Sequence, residues 1–210
     1  MLESLDPKRP KTYCFCSQFL SMLMEGEGFD YSRVKKWTSR LASDVFEHGK
    51  LIMPGICCTS FIYDIVFKLM RLCFCTVVFR DKNHWATLVV YMRQQKMVYY
   101  DPLQMDGKKF LAAVLNWLRH EAIDKRKLSL AELSTRAWVL EEAREDQPQQ
   151  LTNTTECAVF HCITADCIAD DMPVTSTMYT LRDIGEFSYR RKLGCDILRG
   201  SFHMYPTDFA

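Results

Sequence analysis

Cys157 stands where the polar run "QPQQLTNTTE" meets an apolar helical pattern, "CAVFHCITADCIAD". Thr154, Thr155 and Glu156 before it are good N-cap and first-turn residues. A cysteine in a first helical turn lies beside unpaired backbone N–H groups and the positive end of the helix dipole, and both favour the thiolate. His84 opens one predicted strand and Asp101 ends the next. In a hairpin these positions come close at one end, where a carboxylate can orient an imidazole. Gln149 and Gln150 each carry an amide able to donate to an oxyanion. Thiolate, proton carrier, orienting group and oxyanion donor together make a thiol hydrolase. A plainer reading stands beside this one, because a lone helix cysteine is more often a small buried hydrophobe. His161, one turn along the same helix, is a rival base that reads better as a core residue. His48, His120 and His203 sit among charged or terminal residues and read as surface groups, while Trp37, Trp85, Trp117 and Trp138 suit a core.

The elements that must position these groups follow from hydrophobic periodicity. "TYCFCSQFLSMLM" (12–24) has helical spacing, and "DYSRVKKWTSRLASDVF" (30–46) reads as an amphipathic helix, continuous or broken midway, with Asp30 and Ser32 as candidate caps. "KLIMP" (50–54) is a short strand. "HWATLVVYM" (84–92) and "KMVYYD" (96–101) form a hairpin about a polar "RQQ" turn. "GKKFLAAVLNWLRHEAIDKR" (107–126) is an amphipathic helix, "RAWVLE" (136–141) a strand, 141–156 a charged and then polar loop, and 180–199 a closing basic helix.

The 210 residues suffice for one domain with a core, and 48% hydrophobic against 25% charged is the balance of a soluble globular protein. A net charge of +1 gives no field that would draw nucleic acid or an anionic membrane, so neither is expected as a partner. "MLESLDPKRPK" lacks an apolar signal core, and the ten cysteines are read as reduced thiols in the cytoplasm or nucleus. The close pairs Cys14/Cys16, Cys57/Cys58 and Cys73/Cys75 miss zinc-ligand spacing, and no metal or cofactor is expected. Residues 56–79, "ICCTSFIYDIVFKLMRLCFCTVVF", are almost wholly apolar and hold four cysteines. Asp64, Lys68 and Arg71 interrupt the block and argue against a membrane span.

The ordered set "NHWATLVV", "VYYDPL" and "PQQLTNTTECAVF" resembles the SUMO-specific (ubiquitin-like-protein-specific) cysteine proteases, whose pattern runs "HW", "YYDS", "PQQxNxxDCGVF". "YSRVKKWTS" and the closing "DMPVTSTMYTLRDIGEFSYRRKLGCDIL" also look like family segments. The resemblance implies an α+β, papain-like fold, with the nucleophile on a central helix packed against a mainly antiparallel sheet that carries His and Asp. It makes Cys157 the nucleophile, His84 the general base and acid, and Asp101 the orienter. Gln150 becomes the oxyanion donor, together with the backbone N–H of Cys157. Trp85 would cover the Gly-Gly tail of the modifier, and Gln149 and Asn153 join the substrate-binding set. The implied substrate is SUMO or a related ubiquitin-like modifier, cleaved after its Gly-Gly through a thioester by a monomeric enzyme of the nucleus or cytoplasm.

The chain departs from the family pattern in four places. One extra residue separates the glutamines from the cysteine, which leaves Gln149 and Gln150 both open as donor. Glu156 and Ala158 replace the Asp and Gly that flank the family cysteine. A "WLND"-like opening helix is not matched, and the chain is read as beginning after it. Residues 1–210 are read as one protease domain with an atypical apolar insertion at about 56–76, either a genuine insertion or a translated intron. These departures keep a second reading in view: a truncated, inactive relative that only binds a ubiquitin-like protein.

Overall fold

The computed structural model describes residues 12–16, 18–24, 28–41, 44–54, 77–79, 82–128, 137–145, 147–150, 156–176 and 191. Strand β4 (Lys82–Tyr91) organises the sheet. On one side it pairs antiparallel with β2 (Lys50–Pro54), which continues parallel to β1 (Thr12–Cys14). On the other side it pairs antiparallel with β5 (Lys96–Tyr100), which continues parallel to β6 (Val139–Glu142). β3 (Val77–Phe79) pairs with β4 off this path. The pairs around β4 are antiparallel, as expected, and the outer pairs are parallel.

Three helices of the described residues matter here: α1 (Gln18–Leu23), α2 (Lys108–Arg126) and α3 (Cys157–Ala169). α2 buries Phe110, Leu111, Val114, Trp117 and Leu118, which recur at helical spacing and face the core. Trp117 is fully buried and meets Phe15 and Phe19 edge-on, with ring centroids 5.3 and 5.0 Å apart. This aromatic cluster joins β1 and α1 to α2. α3 packs on β4 and is almost entirely buried, consistent with its apolar sequence. Its C-terminal end is tied to β2, where the buried Lys50 donates from Nζ to the Ile168 carbonyl at 2.5 Å and also bonds the Asp171 carboxylate. A cation at a helix C-terminus satisfies carbonyls that have no partner within the helix.

Several expectations change. Residues 12–14 are a strand, not part of a helix. The segment 30–46 is not an α-helix but holds three 3₁₀ turns, at Tyr31–Arg33, Thr38–Arg40 and Val45–Glu47. Side-chain competition explains this. Asp30 Oδ1 accepts from the Ser32 N–H at 2.9 Å, and Asp44 Oδ1 accepts from the Phe46 N–H at 3.0 Å. Asx caps of this kind offer the backbone a local alternative to a continuous helix. Asp30 is thus a cap, and Ser32 is the residue it caps. The "RAWVLE" strand begins only at Val139 and runs into the expected loop as far as Glu142. His48, expected at the surface, is buried, with its ring edge-on to Tyr13 at 5.4 Å. Residues 55–76, and nearly all of 180–199, lie outside the described residues.

Gly107 precedes α2 and lies against Tyr99 of β5. A Cβ there would collide with the Tyr99 ring, which stacks on Phe110 at 5.9 Å. The ring is held by its own packing and has little room to move. Gly107→Ala is expected to destabilise the chain by about 1–3 kcal/mol, the usual cost of overpacking. Urea unfolding of the two chains would read it as a shift in midpoint without a change in slope.

Candidate active site

Alternation along β4 and β5 brings His84 and Asp101 together. The strand register sets Thr87 opposite Tyr100, so Asp101 lies one step beyond, diagonal to His84. Diagonal neighbours on one sheet face lie within reach of long side chains. His84 Nε2–H donates to Asp101 Oδ1 at 2.7 Å, and both residues are buried, at 3% and 1% exposure. Asp101 is held by more than its histidine. The Leu103 N–H donates to Oδ1 at 2.7 Å and the Tyr99 hydroxyl donates to Oδ2 at 3.1 Å. Tyr99 precedes Asp101 by two and so shares its face of the strand. Burial and the adjacent Asp101 charge push the Tyr99 phenol far above its ordinary range, so it remains a donor.

Cys157 is buried and opens α3. Glu156 occupies the cap position in a helical conformation without a side-chain cap bond; Thr154 and Thr155 lie outside the described residues. Cys157 acts on the His84 ring electrostatically, beside Asp101. Burial alone would lower the His84 pKa. Interaction with Asp101 and with Cys157 outweighs it and raises the pKa from 6.5 to about 9. The site therefore favours the imidazolium form of His84. No other cysteine on α3 is so placed: burial, reinforced by the Asp166 charge, pushes the thiols of Cys162 and Cys167 up to about 12.

Residues 147–150 are stitched to the end of β5. Gln147 Nε2 donates to the Asp101 carbonyl at 2.5 Å, and the Gln150 N–H donates to the Pro102 carbonyl at 2.8 Å. The Gln150 amide is buried at 1% exposure, and neither its nitrogen nor its oxygen has a hydrogen-bond partner among the described residues. The Gln149 nitrogen is instead committed to the carbonyls of Gln147, at 2.9 Å, and Arg144. Trp85 is half-buried and lies against His161, while Asn153 lies outside the described residues. Sequence reasoning missed Tyr99 and Gln147. The signal for Tyr99 is its place two residues before the aspartate on a strand; nothing comparable marks Gln147. Among the described residues no group of acidic, histidine and cysteine side chains could hold a metal ion.

A cysteine at a helix start, laid against a sheet that presents histidine and aspartate, is the papain-like cysteine-protease arrangement on an α+β scaffold. The chain belongs to the Ulp1 protease family: that family's C-terminal catalytic domain matches residues 66–197. Human Sentrin-specific protease 2 is 23% identical over 189 residues, covering 90% of this chain and 26% of that protein. A Caenorhabditis elegans Sentrin-specific protease is 27% identical over 157 residues, covering 75% of this chain and 18% of that protein. The chain thus spans about a quarter or less of either of these relatives. The fold is shared with the C-terminal Ulp1 protease domain solved in complex with Smt3, the yeast ortholog of SUMO, at a TM-score of 0.61. That match has 20% identity and covers 91% of this chain and 70% of that one. The catalytic domain of a Chaetomium thermophilum Ulp1-like SUMO protease gives a TM-score of 0.60 at 18% identity, covering 95% of this chain and 65% of that one.

A histidine pKa raised on folding adds stability that is fully present below about pH 6.5 and is lost as pH rises through about 9. Asp101→Asn removes the charge and should move that loss to lower pH, which NMR titration of His84 would follow directly. Tyr99→Phe strips one donor from a buried carboxylate and should cost about 1–3 kcal/mol in denaturant unfolding.

Proposed function

We propose that the chain is a cysteine protease that cleaves after the C-terminal Gly-Gly of SUMO or a related ubiquitin-like modifier. The observation that carries the reading is His84, hydrogen-bonded to Asp101 on the sheet and acted on by Cys157 at the start of α3. The names of the family and of its relatives support the choice of modifier.

In the reaction, Cys157 Sγ attacks the carbonyl carbon of the terminal glycine. The resulting oxyanion accepts from the Gln150 amide and from the backbone N–H of Cys157. The unengaged, buried Gln150 nitrogen suits this role because it needs no bond broken before it donates. The imidazolium gives its Nδ1 proton to the departing amine as the C–N bond breaks, leaving a thioester. Water then attacks the thioester, His84 takes its proton, and Cys157 leaves as the thiolate. Asp101 holds the ring and its charge throughout. Trp85 closes over the glycines, which have no side chains to exclude. The extra residue before Cys157 is accommodated with Gln150, not Gln149, as donor, because the Gln149 nitrogen is already committed.

Covalent capture by SUMO bearing a C-terminal electrophile tests the reading, with Cys157→Ala as control. A Cys157-dependent adduct is expected. A folded chain that binds SUMO without forming one would instead be a binding module. In a cleavage assay, Gln150→Ala should lower kcat by about a hundredfold or more, as loss of an oxyanion donor does. Gln149→Ala should leave kcat far less affected, and the reverse order would reassign the donor.

A further inference from the structure

Neighbouring positions of β4 serve opposite faces of the sheet. His84 reaches Asp101, whereas Trp85 and Thr87 meet His161 of α3. A hydrogen bond of 2.5 Å joins Thr87 Oγ1 and His161 Nδ1, and both residues are buried, at 1% exposure each. The His161 ring lies nearly parallel to the Trp85 indole, with an interplanar angle of 28° and centroids 6.2 Å apart, within the range of an offset stack. Its Nε2 is buried and meets no hydrogen-bond partner among the described residues.

His161 is ill suited to be the proton carrier that its place one turn from Cys157 suggests. Burial pulls its pKa down to about 3, so the ring is neutral at any working pH. One of its nitrogens is already engaged on the sheet. A flat, neutral ring whose rotation is fixed by a short bond is instead a rigid support for whatever stacks on it. We propose that His161 is a positioning residue: clamped by Thr87, it holds the Trp85 indole in the orientation that receives the substrate tail. Trp85 is half-buried, and its remaining surface is available to a ligand. The tail-covering role of Trp85 belongs to the function proposed above, and the inference rests on that reading. The holding of the indole itself rests only on the contacts among Trp85, Thr87 and His161.

The chain labelled with 5-fluorotryptophan separates the two. Its fluorine spectrum reports Trp37, Trp85, Trp117 and Trp138, and Trp85→Phe assigns the line that matters. His161→Leu, which keeps bulk but removes the plane, should shift or broaden the Trp85 line and leave that of the buried Trp117 in place. His161→Phe, which keeps the plane, should restore much of the line shape. With a SUMO-tail substrate, His161→Leu should raise KM by roughly three- to tenfold at nearly constant kcat, the scale of one lost aromatic pair. Thr87→Val provides a second variant with the same expected signature should His161→Leu not fold. An unmoved Trp85 line, or equal movement of all four lines, overturns the proposal. So does a fall in kcat with KM unchanged, which would place His161 at the nucleophile. A Trp85 line that moves in a parent chain inert toward SUMO would keep the support and reject the proposed substrate.

Discussion

The buried carboxylate of Asp101 is the constraint on which the site depends. A charge taken out of water is tolerated only where partners replace the solvent. Here they come from three directions: the His84 ring across the hairpin, the Leu103 N–H of the following turn and the Tyr99 hydroxyl two residues back. Each partner brings its own packing. Tyr99 stacks on Phe110 and presses on Gly107, so the start of α2 is set by the aspartate's needs. The backbone carbonyl of Asp101 holds Gln147, and that of Pro102 holds the Gln150 backbone, so residues 147–150 are registered to the same point. One carboxylate thereby fixes His84, a helix start and that segment.

Cys157 needs a separate fixture, because α3 is not part of the hairpin. Its fixtures are polar ties embedded in an apolar contact. Near its middle, His161 bonds Thr87 of β4; at its end, Lys50 of β2 gathers the Ile168 carbonyl and Asp171. Apolar packing brings a helix and a sheet together but resists sliding weakly, whereas hydrogen bonds with directional limits set the register. The place of Cys157 beside His84 thus follows from ties several residues away from either.

Legibility in the sequence divides along the same line. The hairpin, the 108–126 helix and the helix opened by Cys157 were readable because each has a long, clean period and local boundaries. The pairing of His84 with Asp101 was readable because a hairpin fixes its own register. The segment 30–46 misled because its apolar spacing is helical while Asp30 and Asp44 capture the backbone locally, a contest that periodicity does not weigh. His48 misled because its neighbours in sequence are polar while its neighbour in space is Tyr13. Which of the two adjacent glutamines keeps an unengaged amide is not legible in identical neighbours. It turns on which amide the backbone has already engaged, and that is a three-dimensional fact.

The three cysteines of α3 show how little residue type decides. Cys162 and Cys167 share the helix, the apolar surroundings and the chemistry of Cys157, yet both are held as thiols by burial and by the Asp166 charge. Cys157, at 2% exposure, is about as buried as Cys167 at 1%. Burial, then, does not set Cys157 apart. The difference is its place at the start of the helix, beside the imidazole that Asp101 holds. Moving a thiol a turn or two along α3 would keep its packing and lose both. The helix supplies the position, and the hairpin supplies the chemistry.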